Sequence, residues 1–249
     1  MAHGVEPAAE ELMPSRARLP ASTPKTARAK TSDVKTALAS LERAGSKKVR
    51  DDMAPRYGIV AAKAYGTPVA KIRLVAKSIG KNHELAAALW NTGVYEARML
   101  AAFVAEPDRV TKAEMDGWCR GFDNWAICDT MCFHLFDRTP HAFEKIEAWA
   151  GRREEFIKRA AFALLASVAL HDKKAPDEPF LRALPLIERA AEDERNFVKK
   201  GVSWALRGIG KRNAKLKAAA SELAQRLSGS EHAASRWIGK DALRAFAKR

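Results

Sequence analysis

Cysteine is scarce in this 249-residue chain, and its three copies, Cys119, Cys128 and Cys132, are confined to one stretch. An odd number so placed cannot build a disulfide framework and suits a reducing compartment, so a cytoplasmic protein is expected. Long apolar runs are missing too. None approaches the ~20 residues of a membrane-crossing helix, and the N-terminus lacks the hydrophobic centre of a secretory signal, so no membrane association is expected. Strand-like alternation is absent. So are the fingerprints of common catalytic machinery: HExxH, the phosphate-binding loop, the dinucleotide-binding glycine pattern and the nucleophile elbow. The six histidines are scattered and no Cys and His spacing completes a zinc site. Neither a metal nor an organic cofactor is expected, and the thiols read as core.

Acids run short toward one end. Residues 195–249 hold fourteen Lys and Arg against three Asp and Glu, whereas residues 51–194 hold twenty against twenty-two. The chain's formal net charge of +14 is therefore concentrated near the C-terminus. Such an excess over amphipathic sequence favours a polyanionic partner, nucleic acid ahead of an anionic membrane surface.

What the chain has in abundance is helical periodicity. From about residue 35, apolar residues recur at three and four spacing, as in Leu85, Ala88 and Leu89, or Phe156, Ala160, Ala163 and Leu164. Breakers such as Gly66-Thr67-Pro68, Gly80, Gly93, Pro107, Pro140 and Gly229 cut the pattern into roughly a dozen helices of about 8–18 residues. An all-α protein follows. Residues 1–34, with four prolines and no apolar period, read as a disordered basic leader, and residues 35–249 as one domain. Glu6, Glu10 and Glu11 argue against a mitochondrial transit peptide, since such peptides are poor in acids.

A weak internal repeat places Arg98, Asp129, Arg159, Lys200 and Arg236 in one register, spaced by 31, 30, 41 and 36 residues. That is the period of a helix pair in an α-solenoid. Stacked pairs would align these side chains along a concave surface, as a column of bases interrupted by one carboxylate.

Trp125 and Asp129 lie four apart and so share a helix face, while Ile127, Cys128 and Met131 supply the buried one. Two readings are open. Trp125 is a core anchor and Asp129 an ion-pair or capping acid, or the carboxylate sits among cations and stabilises a developing positive charge. Trp204 lies four residues after Lys200, so a second indole is placed to border the same groove, whereas Trp90 and Trp149 at the ends of apolar helices read as core.

The stretches Tyr57-Gly58-Ile59, Leu89 to Arg98, Asn124 to Asp129, Ile157-Lys158-Arg159 and Val202 to Arg207, in that order, resemble the HEAT-like-repeat DNA alkylation-repair proteins, the AlkD-like alkylpurine DNA glycosylases. The resemblance covers about residues 50–249. It implies a curved α-solenoid of HEAT-like helix pairs that cups duplex DNA. It also implies hydrolytic release of cationic alkylpurines such as 3-methyladenine and 7-methylguanine, with the base still stacked. Transferred residue by residue, it makes Asp129 the catalytic carboxylate, Trp125 and Trp204 the sugar-facing indoles, and Arg159 the groove arginine. Lys158 stands where many members have a second arginine, and Ala126 where members often have an acid. With the register and the C-terminal excess, the expected DNA contacts are Arg98, Lys158, Arg159, Lys199, Lys200, Arg207, Lys211 and Arg236. An alkylated purine already carries the charge that makes it a good leaving group, so no general acid is needed; no lysine Schiff base is needed either, so a monofunctional glycosylase is expected, and a monomer. A non-catalytic scaffold that binds DNA or a protein partner through the same face is the alternative.

Overall fold

Helix boundaries fall where the breakers and caps stand. The computed structural model describes residues 31–248, and over them the chain forms thirteen α-helices and two short 3-10 turns. The helices are α1 (Thr31–Arg43), α2 (Lys47–Tyr57), α3 (Val69–Ile79), α4 (His83–Trp90), α5 (Tyr95–Val104), α6 (Lys112–Arg120) and α7 (Trp125–His134). They continue with α8 (Ala142–Ala150), α9 (Glu155–His171), α10 (Glu178–Ala190), α11 (Asn196–Gly210), α12 (Ala214–Ser228) and α13 (Ala233–Ala247). The expected leader lies mostly outside the described residues. Its boundary at residue 34 moves, since α1 already begins at Thr31.

Local chemistry accounts for the starts and stops. Thr111 and Glu114 form a reciprocal capping box on α6, and the Asn82, Asn124 and Asn213 side chains each accept a backbone N–H in the first turn of α4, α7 and α12. Helix α2 ends at Gly58, whose left-handed backbone (φ 63°) returns its N–H to Ala54 and lets Ile59 N–H reach the Met53 carbonyl.

The helices stack in two layers. Helices α3, α5, α7, α9, α11 and α13 pack side by side in that order, and α4, α8, α10 and α12 back them, with α1 against α3, α4 and α5. This is the expected solenoid of helix pairs. Helix α9 is its centre, buried along almost its whole length, and its Ala160, Ala161, Ala163, Ala166 and Ala169 let neighbouring helices approach closely. Phe136, Phe162 and Phe180 are fully buried, each worth about 1.5–3 kcal/mol of hydrophobic stabilisation. All three cysteines are buried thiols, and Trp90 and Trp149 are core, as the sequence predicts. None of the described helices is long and apolar enough to cross a membrane.

Candidate functional site

The site is built from the start of α7. Asn124 caps the helix by accepting from Ile127 N–H at 3.0 Å, which makes Trp125 its first residue and places Asp129 one turn further on. Ile127, Cys128 and Met131 turn into the core, so Trp125 and Asp129 are left on the inner side. There Asp129 meets Arg159 of α9 in a two-pronged pair: Nε donates to one carboxylate oxygen at 2.9 Å and Nη2 to the other at 2.7 Å. The remaining guanidinium nitrogen, Nη1, donates to the Phe197 carbonyl of α11 at 2.7 Å. One guanidinium thus ties three inner helices together.

The pair is asymmetric toward solvent. The Asp129 side chain keeps 16% of its exposure against 7% for Arg159, so the carboxylate is the partner presented to the surface. Burial raises the Asp129 carboxyl above its ordinary value, against the opposing pull of the Arg159 guanidinium. Burial likewise works against the Arg159 charge, but the adjacent carboxylate outweighs it and raises that pKa.

Asp129 and Trp125 form part of the wall of two cavities. One, of about 510 Å³, mixes charged and apolar groups and is lined by Arg56, Tyr57, Gly58, Arg159, Asn196, Phe197 and Lys200 as well. The other, of about 290 Å³, is largely apolar and reaches Met53, Ile59, Tyr95, Glu96 and Met99. Tyr57 borders both, and its carbonyl accepts from the Trp125 indole N–H at 2.9 Å. The connection between α2 and α3 therefore crosses the inner face and fixes the indole.

That connection is clamped by a buried acid. Glu96 of α5 accepts the backbone N–H groups of Tyr65, Gly66 and Thr67 at 2.7–3.2 Å, and the Lys63 carbonyl accepts from Tyr95 N–H. Gly66 is required at its position: its φ is +74°, and a Cβ there would lie 2.2 Å from the Ser46 carbonyl oxygen.

Of the expected register, Asp129, Arg159 and Lys200 do come together. Arg98 does not join them. Its guanidinium lies over the Trp90 ring and donates to the Gly121 carbonyl and to Asp123, while Tyr95, Glu96 and Met99 are the α5 residues that face the site. Arg236 is likewise turned away, donating to the Ser230 and Glu231 carbonyls before its own helix. Lys158 is held by Asp193 at 2.9 Å, beside Arg195. Arg207 pairs with Asp241 at 3.3 Å, and Lys211 is exposed at the end of α11. Lys199 lies over the exposed Trp237 ring. Trp204 is half-buried and lines neither cavity; it stacks on Phe133, one turn beyond Asp129, with ring centroids 4.4 Å apart. The expectation that two indoles wall the carboxylate's cavity is corrected to one indole, Trp125, opposite Tyr57 and Phe197. Spacing alone did not single out Phe197, Asn196 or Glu96. The αL glycine after Tyr57 was the available signal for the crossing segment.

Comparison with known proteins agrees with this architecture. Among solved structures, the chain is similar at a TM-score of 0.70 and 19% identity, over 85% of its length and 94% of the other's, to a protein from a family described as related to the HEAT-like repeat DNA glycosylases with affinity for branched DNA structures. Two designed armadillo repeat proteins, one in complex with the peptide (KR)4, align over 87% of the chain at 12% and 13% identity, with TM-scores of 0.37 and 0.34. They cover 92% and 94% of those chains. No curated protein matches the sequence. A family model described as DNA alkylation repair enzyme matches residues 37–246, and the chain belongs to that family.

Proposed function

We propose that this protein is a DNA glycosylase that hydrolyses the N-glycosidic bond of cationic alkylpurines, 3-methyladenine and 7-methylguanine among them, in duplex DNA. The observation that carries this reading is the Asp129 carboxylate at the wall of a cavity that also holds Arg56 and Lys200, locked by Arg159 and flanked by Trp125 and Tyr57. An alkylated purine leaves without a proton, so the barrier is the oxocarbenium character that develops on the deoxyribose. A fixed carboxylate beside that sugar stabilises the charge as it forms and orients the attacking water, and an aromatic wall holds the ring in place. Arg56 and Lys200, at the rim of the same cavity, supply positive charge for the flanking phosphates. No amine is assigned a covalent role, so the reaction ends at base release without strand cleavage.

Incubation of the protein with methylated duplex DNA in EDTA, with released bases identified by mass, tests the reading. Release of 7-methylguanine or 3-methyladenine is expected, and its absence from an otherwise DNA-binding protein rejects it. Non-catalytic DNA binding is the second reading. One observation favours it: Arg159 already occupies both oxygens of Asp129. The same assay separates the two.

A further inference from the structure

The inner layer ends at α13 with a feature that the Asp129 site does not use. Trp237 is exposed (38%) and carries the Lys199 ammonium 5.3 Å from its ring centroid. Most large apolar side chains of this chain are core, so an indole left in solvent and roofed by a cation is set apart. Lys240 and Arg244 follow it on α13 at spacings of three and seven, which places the three within about 60° of the helix circumference, and Lys248 stands just past the helix end. All are exposed. Among the described residues, Lys240 and Lys248 have no acidic partner, and Arg244 shares Asp241 at 3.5 Å with Arg207. Asp241 is the acid of this face, and it is occupied further by the Ser203 hydroxyl at 2.6 Å. Arg236 contributes nothing here because carbonyls hold it.

The patch and the cavity of Asp129 share helix α11. Lys199 and Lys200 are neighbours on α11; one roofs Trp237 and the other borders the cavity of Asp129 and Arg159. A polyanion lying across the inner face meets both. What distinguishes this end is the indole. In an intact duplex the bases are stacked inside and only sugar and phosphate face a protein, so an exposed indole among cationic side chains matches an unpaired base, which stacks on it while its phosphates meet the lysines. An anionic membrane fits less well, since Trp237 is the one large apolar side chain on this stripe and interfacial helices bury a broad apolar face.

We propose that Trp237, with Lys199, Lys240 and Arg244, forms a second nucleic-acid contact that captures an unpaired base of a DNA strand next to the duplex held at the Asp129 site. It needs the chain to bind DNA but does not need it to excise.

Fluorescence anisotropy of the full chain tests this with two labelled DNAs, a blunt duplex and the same duplex carrying a six-thymine single-stranded overhang. The parent should bind the overhang DNA about ten-fold more tightly, the range expected for one stacked base. In Trp237→Ala that ratio should fall to about one, and in Trp237→Phe most of it should return. The Lys240→Ala, Arg244→Ala double variant should weaken overhang binding and lower its salt slope by about two. Melting curves confirm folding of each variant. No overhang preference in the parent, or an undiminished one in Trp237→Ala, overturns the proposal. So does a loss confined to binding of phosphatidylserine vesicles. A parent that prefers overhangs yet releases no base rejects the glycosylase reading and leaves this contact standing.

Discussion

Arg159 shows how position in the fold changes the meaning of a charge. In the sequence it reads as a groove arginine that meets phosphate, but its side chain is 7% exposed and each of its three nitrogens donates to Asp129 or Phe197. Removing it strands a buried carboxylate. Arg159→Ala should therefore cost about 3–5 kcal/mol of stability, measured by urea unfolding, far more than a surface phosphate contact. The same variant carries a pH signature. If the proposed excision uses ionised Asp129, its rate should fall as pH drops through the Asp129 pKa, which burial raises above the ordinary carboxylate range. Arg159 is the group that opposes that rise, so single-turnover rates of Arg159→Ala should show the acid limb moved to higher pH; an unmoved limb separates the two residues functionally. The tryptophans divide in the same way. Trp90 packs against Trp118 and Phe122 at 6% exposure, and Trp90→Ala should cost about 3–5 kcal/mol. Trp125→Ala should melt much closer to the parent and chiefly slow excision. Trp204→Ala should fall between them in stability through loss of its Phe133 stack. If Trp125→Ala melts as early as Trp90→Ala and excises at the parent rate, the aromatic wall has no role.

At the scale of elements, the site depends on one irregular segment laid over three regular helices. Residues 58–68 hold Tyr57 and Gly58 above Asp129, and Glu96 holds those residues down through three backbone amides. Glu96→Ala leaves those amides without an acceptor and should destabilise the fold by about 1–3 kcal/mol, while Glu96→Gln retains part of the bonding. The excision rate should follow the same order among folded variants, since the Trp125 indole loses its fixed carbonyl partner when the segment loosens. Hydrogen exchange of the Tyr65–Thr67 amides reads the clamp directly. This clamp was not legible in the sequence, because it joins residues about thirty apart through backbone groups that any residue carries. The helices were legible, since apolar spacing and the Gly, Pro and Asn boundaries are local. The column of charges was legible only in part. A repeat period of 30 to 41 residues assigns each charge to a helix but does not fix its rotation, and one residue of slip turns a side chain by about 100°. Arg159 and Lys200 fell on the right side of that uncertainty, whereas Arg98 and Arg236 did not.

For the whole molecule, the C-terminal charges divide into engaged and free side chains. Arg195, Arg207, Arg212, Arg226 and Arg236 are engaged with acids or carbonyls and act as struts, whereas Lys200, Lys211, Lys217 and Lys240 are exposed without an acidic partner among the described residues. Duplex binding should therefore weaken steeply with salt, and Lys200→Ala should flatten the slope of log affinity against log salt by about one, while Arg236→Ala leaves that slope unchanged. The reverse result places the phosphates elsewhere on the surface. In the proposed reaction Asp129 supplies charge to the transition state. Asp129→Asn keeps the shape and removes that charge, so its single-turnover release of 7-methylguanine, with duplex affinity measured on the same preparation, is the most direct test. A rate lower by at least about 10²–10³-fold is expected, with affinity level or higher. Release at the parent rate by folded Asp129→Asn contradicts it and leaves Asp129 as the structural partner of Arg159.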